Sequence, residues 1–356
     1  VKDSLISLCL LLIASTVVGF RCQKSSNSAA PQPDDQVVRF AATTAFDSPQ
    51  VDRILKKLAA APHPLGSERQ SQMTEFLQQE AAAMKLDVYL DSFTAKVPNP
   101  DLLGQEDASG PVAVTLERQG TNIIAIADKG HSCTYFFGSH YDTKYITEFT
   151  YRGANDSGSS SAALFWLLQA AQTYSADHSL ECNLGAIWFD GEEAYLPNWS
   201  DGETRHPAKT QDNTYGSRHL AGRLTPCAQD ETALCLPQAL SGHQFSGLIL
   251  LDMIGSPNIR LTPDSHSKRA WLELAMELAA ALDMPQLFAN QSPRGIEDDH
   301  IPFLNRGLPV INLIDFQHLS VWHRPGDDVS AVSLSSIEQA SRLALALSLT
   351  LAQSAP

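Results

Sequence analysis

The chain has 356 residues, 43% of them hydrophobic and 18% charged, which suits one large α/β domain or two small ones. Its net charge of −15 offers no basic stripe and argues against a nucleic-acid partner. Six cysteines without a C-x-x-C pair argue against a structural zinc cluster or a thioredoxin-type site.

Behind Lys2, "LISLCLLLIASTVVGF" (Leu5 to Phe20) reads as the core of a signal peptide, or as a short membrane anchor. The polar "RCQKSSNSAAPQPDDQ" after it reads as a tether. The chain therefore divides into residues 1–36, a signal or anchor segment with a linker, and residues 37–356, one catalytic α/β domain. The expected location is outside the cytoplasm: secreted, periplasmic or held at a membrane through the N-terminus. Export permits disulfides. Cys227 and Cys235 share one loop and could close a small ring, while Cys133 and Cys182 are either bonded neighbours or buried thiols.

A helix is expected over "SPQVDRILKKLAA", with Ser48 as its cap and Pro49 in its first turn. A second begins at Ser67, with Gln70 in a capping-box position and Met73, Phe76, Leu77, Ala81 and Met84 on its apolar face. "KLDVYLDSF" alternates like a half-buried strand. "PVAVTLERQGTNIIAIA" reads as a strand, a break and another strand, and a hairpin is expected near 113–138. From Thr121 onward, apolar runs alternate with helical patterns: "CTYFFG", a helix in "SGSSSAALFWLLQAAQTYS" packed on one side, "LGAIWFDGEE", a short helix in "YGSRHLAGRL", "FSGLILLDMIGSPN", "SKRAWLELAMELAAAL", "GLPVINLID" and a last helix striped by Ala340, Leu343, Leu347 and Leu351. That alternation predicts an α/β fold, a three-layer α/β/α sandwich whose central sheet is mixed and mostly parallel. No glycine-rich phosphate loop is present.

Ligands of open α/β sheets bind at the carboxyl ends of the strands. There the sequence places His140 and Asp142, then Asp190, Glu192 and Glu193, then Asp252. Asp156 opens a helix, "RGIEDDHIPF" holds Glu297, Asp298, Asp299 and His300, and "SVWHRPGDD" holds Trp322 and His323. So many acids cannot ionise together without a cation. Zinc accepts imidazole and carboxylate ligands drawn from separate strand ends. Taken singly, each acid is more simply a solvated surface group.

The stretches "APHPLGS", "GSHYDTKY", "NDSGSSSAAL", "FDGEEA", "YGSRHLA", "LLDMIG", "IEDDHIPFLNRGLPVINLI" and "VWH" resemble the glutaminyl-peptide cyclotransferases, the glutaminyl cyclases of the zinc-aminopeptidase-like superfamily. "HYD" and "GEE" alone suit any zinc exopeptidase; "IEDDHIPF" with "VWH" marks the cyclase branch. The resemblance runs from about Leu55 to the C-terminus. It implies one zinc per chain, held by Asp156, Glu193 and His323, with Glu192 as the acid/base. It implies a hydrogen-bonded pair of Asp252 and Asp298 beside the site, and a pocket lined by Trp199 and Trp322. His140 and Asp142 would stand behind the metal, His140 taking a metal only in the two-zinc aminopeptidases. The implied substrates are peptides or small proteins that begin with Gln, and a monomer is the default.

Four departures stand out. Ser139 replaces the cysteine of the better-known animal enzymes, so the disulfide expected there is missing. Asn312 stands where a histidine is usual, behind the site. The stretch containing Trp199 is one residue longer than expected, and "TPCAQDETALCLPQALSG" reads as an inserted surface loop. An exported zinc aminopeptidase fits the acids and histidines as well, and a non-enzymatic ectodomain of the same fold would show eroded ligands, which this chain does not.

Overall fold

A computed structural model describes residues 32–99, 106–107, 110–111, 115–196, 199, 201, 213–289 and 291–353. The expected signal or anchor segment lies almost wholly outside them, as do most of the loop after residue 99 and most of the polar segment around Trp199. Among the described residues, no helix is long and apolar enough to cross a membrane.

Helix α1 (Asp35–Thr43) is capped by Asp34, whose side chain accepts from the N–H groups of Gln36 and Val37. It begins inside the stretch assigned to the tether. Helix α2 (Ser48–Leu58) is capped by Asp47 rather than Ser48. An ionised carboxylate gains more than a hydroxyl from the helix dipole at that position. Ser67 caps α3 (Glu68–Ala83) as expected, but Gln70 closes no capping box. Its buried side-chain amide turns inward and donates to Asp190 and to the Tyr141 hydroxyl.

Strand β1 (Asp87–Pro98) pairs antiparallel with β4 (Thr115–Ala127) along its whole length. β4 has no break at Gly120. Gly120 lies opposite Phe93, whose ring fills the space a Cβ would need. Between them, β2 (Glu106–Asp107) and β3 (Gly110–Pro111) form a two-residue ladder. Next come β5 (Cys133–His140), α4 (Ser160–Asp177), β6 (Asn183–Phe189), α5 (Tyr215–Arg223), β7 (Thr225–Pro226), β8 (Leu234–Cys235) and β9 (Gln244–Asp252). The chain closes with α6 (Arg269–Ala281), α7 (Ile301–Leu304), β10 (Val310–Ile314) and α8 (Leu334–Ala352).

The strand order is β1-β4-β6-β5-β9-β8-β7, with β10 also paired to β9. This overturns the expected mostly parallel sandwich. Pairs β1–β4, β4–β6, β8–β9 and β7–β8 are antiparallel; only β5–β6, β5–β9 and β9–β10 are parallel. The sheet curls as a half-barrel, seven strands through an arc of 255°. The expected hairpin near 113–138 does not form either, because β6 lies between β4 and β5. The segment read as an inserted loop supplies the β7–β8 hairpin at the sheet edge.

Both sheet faces are covered, because successive side chains of a strand point to opposite faces. Tyr135, Phe137, Trp188, Ile249 and Ile311 enter the larger core with α1, α2, α4, α6 and α8. Phe136, Ile187, Leu248 and Val310 enter the smaller one with α5 and Phe303 of α7. Helix α4 is not packed on one side only: Leu164, Phe165, Trp166, Leu167 and Leu168 are all buried.

Both cysteine pairs are bonded. Cys227–Cys235 closes the β7–β8 hairpin, and Cys133–Cys182 joins the start of β5 to the residue before β6, closing 49 residues. Replacing Cys182 by serine is expected to cost about 2–4 kcal/mol. Urea unfolding of both proteins measures this; equal midpoints would show that the cross-link adds nothing.

Candidate metal centre

Strands β6, β5, β9 and β10 run parallel, so their carboxyl ends open on one edge. β5 ends in His140, with Asp142 just beyond. β6 leads to Asp190, and the chain then turns at Gly191 with φ +69°, a region that glycine enters without penalty. This turn brings round Glu192 and Glu193. β9 ends in Asp252. Asp156 comes from the turn before α4, Asp298 from the loop before α7, and His323 from the loop after β10. His323 itself has φ +50°, a conformation costly for a non-glycine residue.

Asp156, Glu193 and His323 each place a ligating atom within 4.8 Å of the others. His323 Nε2 is 3.1 Å from Glu193 Oε1 and 3.4 Å from Asp156 Oδ2. A second group, His140, Asp156 and Asp252, meets the same limit and shares Asp156. His140 Nε2 lies 3.1 Å from Asp156 Oδ1, 3.5 Å from Asp252 Oδ1 and 3.9 Å from Glu192 Oε2. Its Nδ1 faces the Asp142 carbonyl oxygen at 3.1 Å and Asp142 Oδ1 at 3.5 Å.

These residues fit a divalent cation. Two carboxylates and an imidazole are ligands that zinc accepts. Glu193 Oε2 and Asp252 Oδ1 are buried with no hydrogen-bond partner, a costly state for a carboxylate oxygen unless a cation takes it. Lys144 Nζ lies 3.5 Å from Glu193 Oε2 and donates instead to the Ala194 carbonyl at 2.7 Å.

Electrostatics agrees. Burial opposes charge on His323, but Glu193 and Asp156 outweigh it and raise its pKa to about 9. Zinc would displace that proton, so its affinity rises with pH up to that value. Burial also opposes charge on His140, and Glu192, Asp142, Asp156 and Asp252 overcome it, lifting its pKa well above the usual value. Asp156 goes the other way: burial disfavours its charge, but His140 and His323 hold its pKa below the usual range. Burial, and then the charges of Glu193, Asp298 and Asp299, push Glu192 well up despite His140.

The candidate ligands are braced by three groups, two of which the sequence reading did not single out. The Tyr151 hydroxyl donates to Asp156 Oδ2 at 2.7 Å. Asp327 accepts the N–H groups of Asn155 and Asp156 at 2.7 and 3.2 Å. Asp142, which the resemblance did point to, accepts the N–H groups of Glu192 and Glu193 at 3.0 and 3.4 Å. Asp327 sits in the "RPGDD" turn after His323, the one local signal for it; nothing near Tyr151 in sequence marks that residue. Tyr151→Phe is expected to weaken zinc binding roughly 10- to 100-fold. Competition with a chelator reads this directly, and an unchanged affinity would show that the hydroxyl is idle.

Asp298 Oδ1 accepts the Asp299 N–H at 2.6 Å, and its Oδ2 accepts the Asn312 side-chain amide at 2.9 Å. The expected pair of Asp252 and Asp298 is coupled electrostatically. They interact through space: burial first, then the Asp252 charge, raises the Asp298 pKa well above the usual value. Trp322 stacks on the His323 ring with centroids 4.3 Å apart. The Trp199 ring lies 5.9 Å from Lys144 Nζ, on the Glu193 side. Ser139 occupies no bond to sulfur; its hydroxyl donates to Ser160 Oγ at 2.9 Å.

The family model for peptidase family M28 matches residues 122–348. A glutaminyl-peptide cyclotransferase of Drosophila melanogaster is 28% identical over 308 residues, covering 81% of this chain and 75% of that one. One of Dictyostelium discoideum is 30% identical over 222 residues, covering 59% of this chain and 58% of that protein's length. The crystal structure of Macrostomum lignano glutaminyl cyclase superposes with a TM-score of 0.67 at 23% identity, over 92% of this chain and 96% of that one. The matched span takes in all three candidate ligands, and the chain belongs to peptidase family M28.

Proposed function

We propose that the protein is a zinc-dependent glutaminyl-peptide cyclotransferase, which converts the N-terminal glutamine of a peptide to pyroglutamate and releases ammonia. One arrangement carries this reading: a ligand triad flanked by two indoles, with the buried Glu192 beside it and outside both ligand groups. Asp156, Glu193 and His323 would hold the zinc, which supplies Lewis acidity toward the γ-carbonyl oxygen of the substrate.

The rest is done by the chain's own residues. Trp199 and Trp322 narrow the site, so the glutamine side chain folds back toward its own α-amine. Both reactants belong to one residue, which removes most of the entropic barrier. The amine nitrogen bonds to the side-chain carboxamide carbon, Cδ, and its proton passes to the Glu192 carboxylate. Glu192 returns that proton to the amide nitrogen, the C–N bond breaks, and ammonia departs. Burial and the charges of Glu193, Asp298 and Asp299 raise the Glu192 pKa, which makes its carboxylate a stronger base for this transfer. Asp142 fixes the backbone of both glutamates throughout.

The test is ammonia release from Gln-initiated peptides, with product masses lower by one ammonia. Release of a free N-terminal amino acid, with no ammonia, would overturn the reading. That outcome belongs to a second reading, a zinc aminopeptidase, which the second ligand group around the shared Asp156 favours. The two differ at His140. In the cyclotransferase, His140→Ala is expected to keep the full zinc content, because its ring is engaged by Asp142 and Asp156. Elemental analysis showing one zinc fewer in that variant would support the aminopeptidase.

A further inference from the structure

A third group of metal-binding character lies apart from the triad: Asp264, His266 and His300, with ligating atoms within 4.8 Å of one another. Asp264 and His266 share one turn, and His300 leads into α7. The side chains of Asp264 and His300 are 0% exposed, and that of His266 is 39% exposed. The group is therefore closed on two sides and open to water on the third.

We propose that these three residues form a second zinc site, separate from the reaction centre, that clamps the loop carrying Asp298. The case begins with Asp264. Its Oδ1 accepts the N–H groups of His266 and Ile296, each at 3.1 Å. Its Oδ2 faces His300 Nε2 at 2.8 Å. Among the described residues no lysine or arginine pairs with this carboxylate. A buried carboxylate without a cation is costly.

His300 adds an independent observation. Neither of its ring nitrogens makes an aligned hydrogen bond, although both are buried. The contact of Nε2 with Asp264 is short but lies off the N–H direction, which suits an ion on the nitrogen axis that Asp264 reaches from the side. His266 is held to the same loop, its Nδ1 3.0 Å from the Ile296 carbonyl oxygen. Tetrahedral zinc with bonds of about 2.0–2.1 Å sets its ligand atoms about 3.3 Å apart. His300 Nε2 lies 2.8 Å from Asp264 Oδ2 and His266 Nδ1 lies 3.8 Å from Asp264 Oδ1, on either side of that value. Binding needs a small turn of the His266 ring away from Ile296, and the exposed side leaves room for a water as fourth ligand.

The consequence concerns position. Ile296 is bonded through both its N–H and its carbonyl to the Asp264–His266 turn, and Asp298 follows two residues later. Metal here would fasten the Asp298 loop to the turn that follows β9.

The experiment strips the full-length protein of metal and titrates it with zinc alone. Wild type is expected to bind one zinc more than His266→Ala, and His266→Cys, which restores a ligand, is expected to recover it. A Glu193→Gln/His323→Ala variant, disabled at the reaction centre, should still gain thermal stability from zinc, and adding His266→Ala should remove that gain. Equal zinc content in wild type and His266→Ala overturns the proposal, as does a thermal response to zinc that His266→Ala leaves intact.

Discussion

Glu192→Gln is expected to lower turnover by roughly a factor of 100 or more, the scale of a positioned acid–base group, while zinc content and peptide binding survive. The substitution keeps the side chain's shape and removes only its capacity to take a proton. Glu192 is buried, its backbone is held by Asp142 at 3.0 Å, and it belongs to neither ligand group around Asp156. Loss of zinc from this variant, with full rate restored by excess zinc, would defeat the assignment. Glu192 would then support the metal, and Asp252 or Asp298 would have to carry the proton.

His323→Ala should cost more, because it removes both a ligand and the cation that balances the triad. His323 Nε2 is the only nitrogen among the three candidate ligands, 3.1 Å from Glu193 and 3.4 Å from Asp156. Without it, two buried carboxylates face each other with Lys144 and His140 as the nearby positive groups. Losing metal polarisation forfeits several kcal/mol of transition-state stabilisation, and each 1.36 kcal/mol is tenfold in rate. Turnover at limiting zinc should fall to about 1% of wild type or less. Zinc analysis and rate are read on the same sample; a variant that keeps its zinc and its rate would remove His323 from the site. Glu193→Gln is expected to weaken zinc in the same direction, since it halves the charge the metal meets.

Several features of this protein were written locally, and those were legible from the sequence. Each apolar run that became β5, β6, β9 or β10 ends in or is followed by a polar residue, and these residues gather, buried, at the carboxyl edge of the sheet. That is why His140, Glu192, Glu193 and Asp252 could be placed at one edge, and why Asp156 could be placed at the start of the following helix. Motif spacing carried the family, since "IEDDHIPF" and "VWH" preserve residues whose chemistry depends on their identity. Strand pairing is a different kind of information. An apolar run of five to nine residues reads the same whether its neighbour is parallel or antiparallel, and nothing local tells β4 to pair with β6 instead of β5. The curl and the antiparallel majority of the sheet were settled by long-range pairing and by the β1–β4 ladder. The braces were settled the same way. Tyr151 and Asp327 reach Asp156 across chain separations of 5 and 171 residues. Asp298 accepts the Asn312 side-chain amide, a donor that only the fold brings to it. Local sequence thus decided which groups reach the edge of the sheet, and tertiary packing decided which of them touch, because contact between distant residues exists only once the strands have found their order.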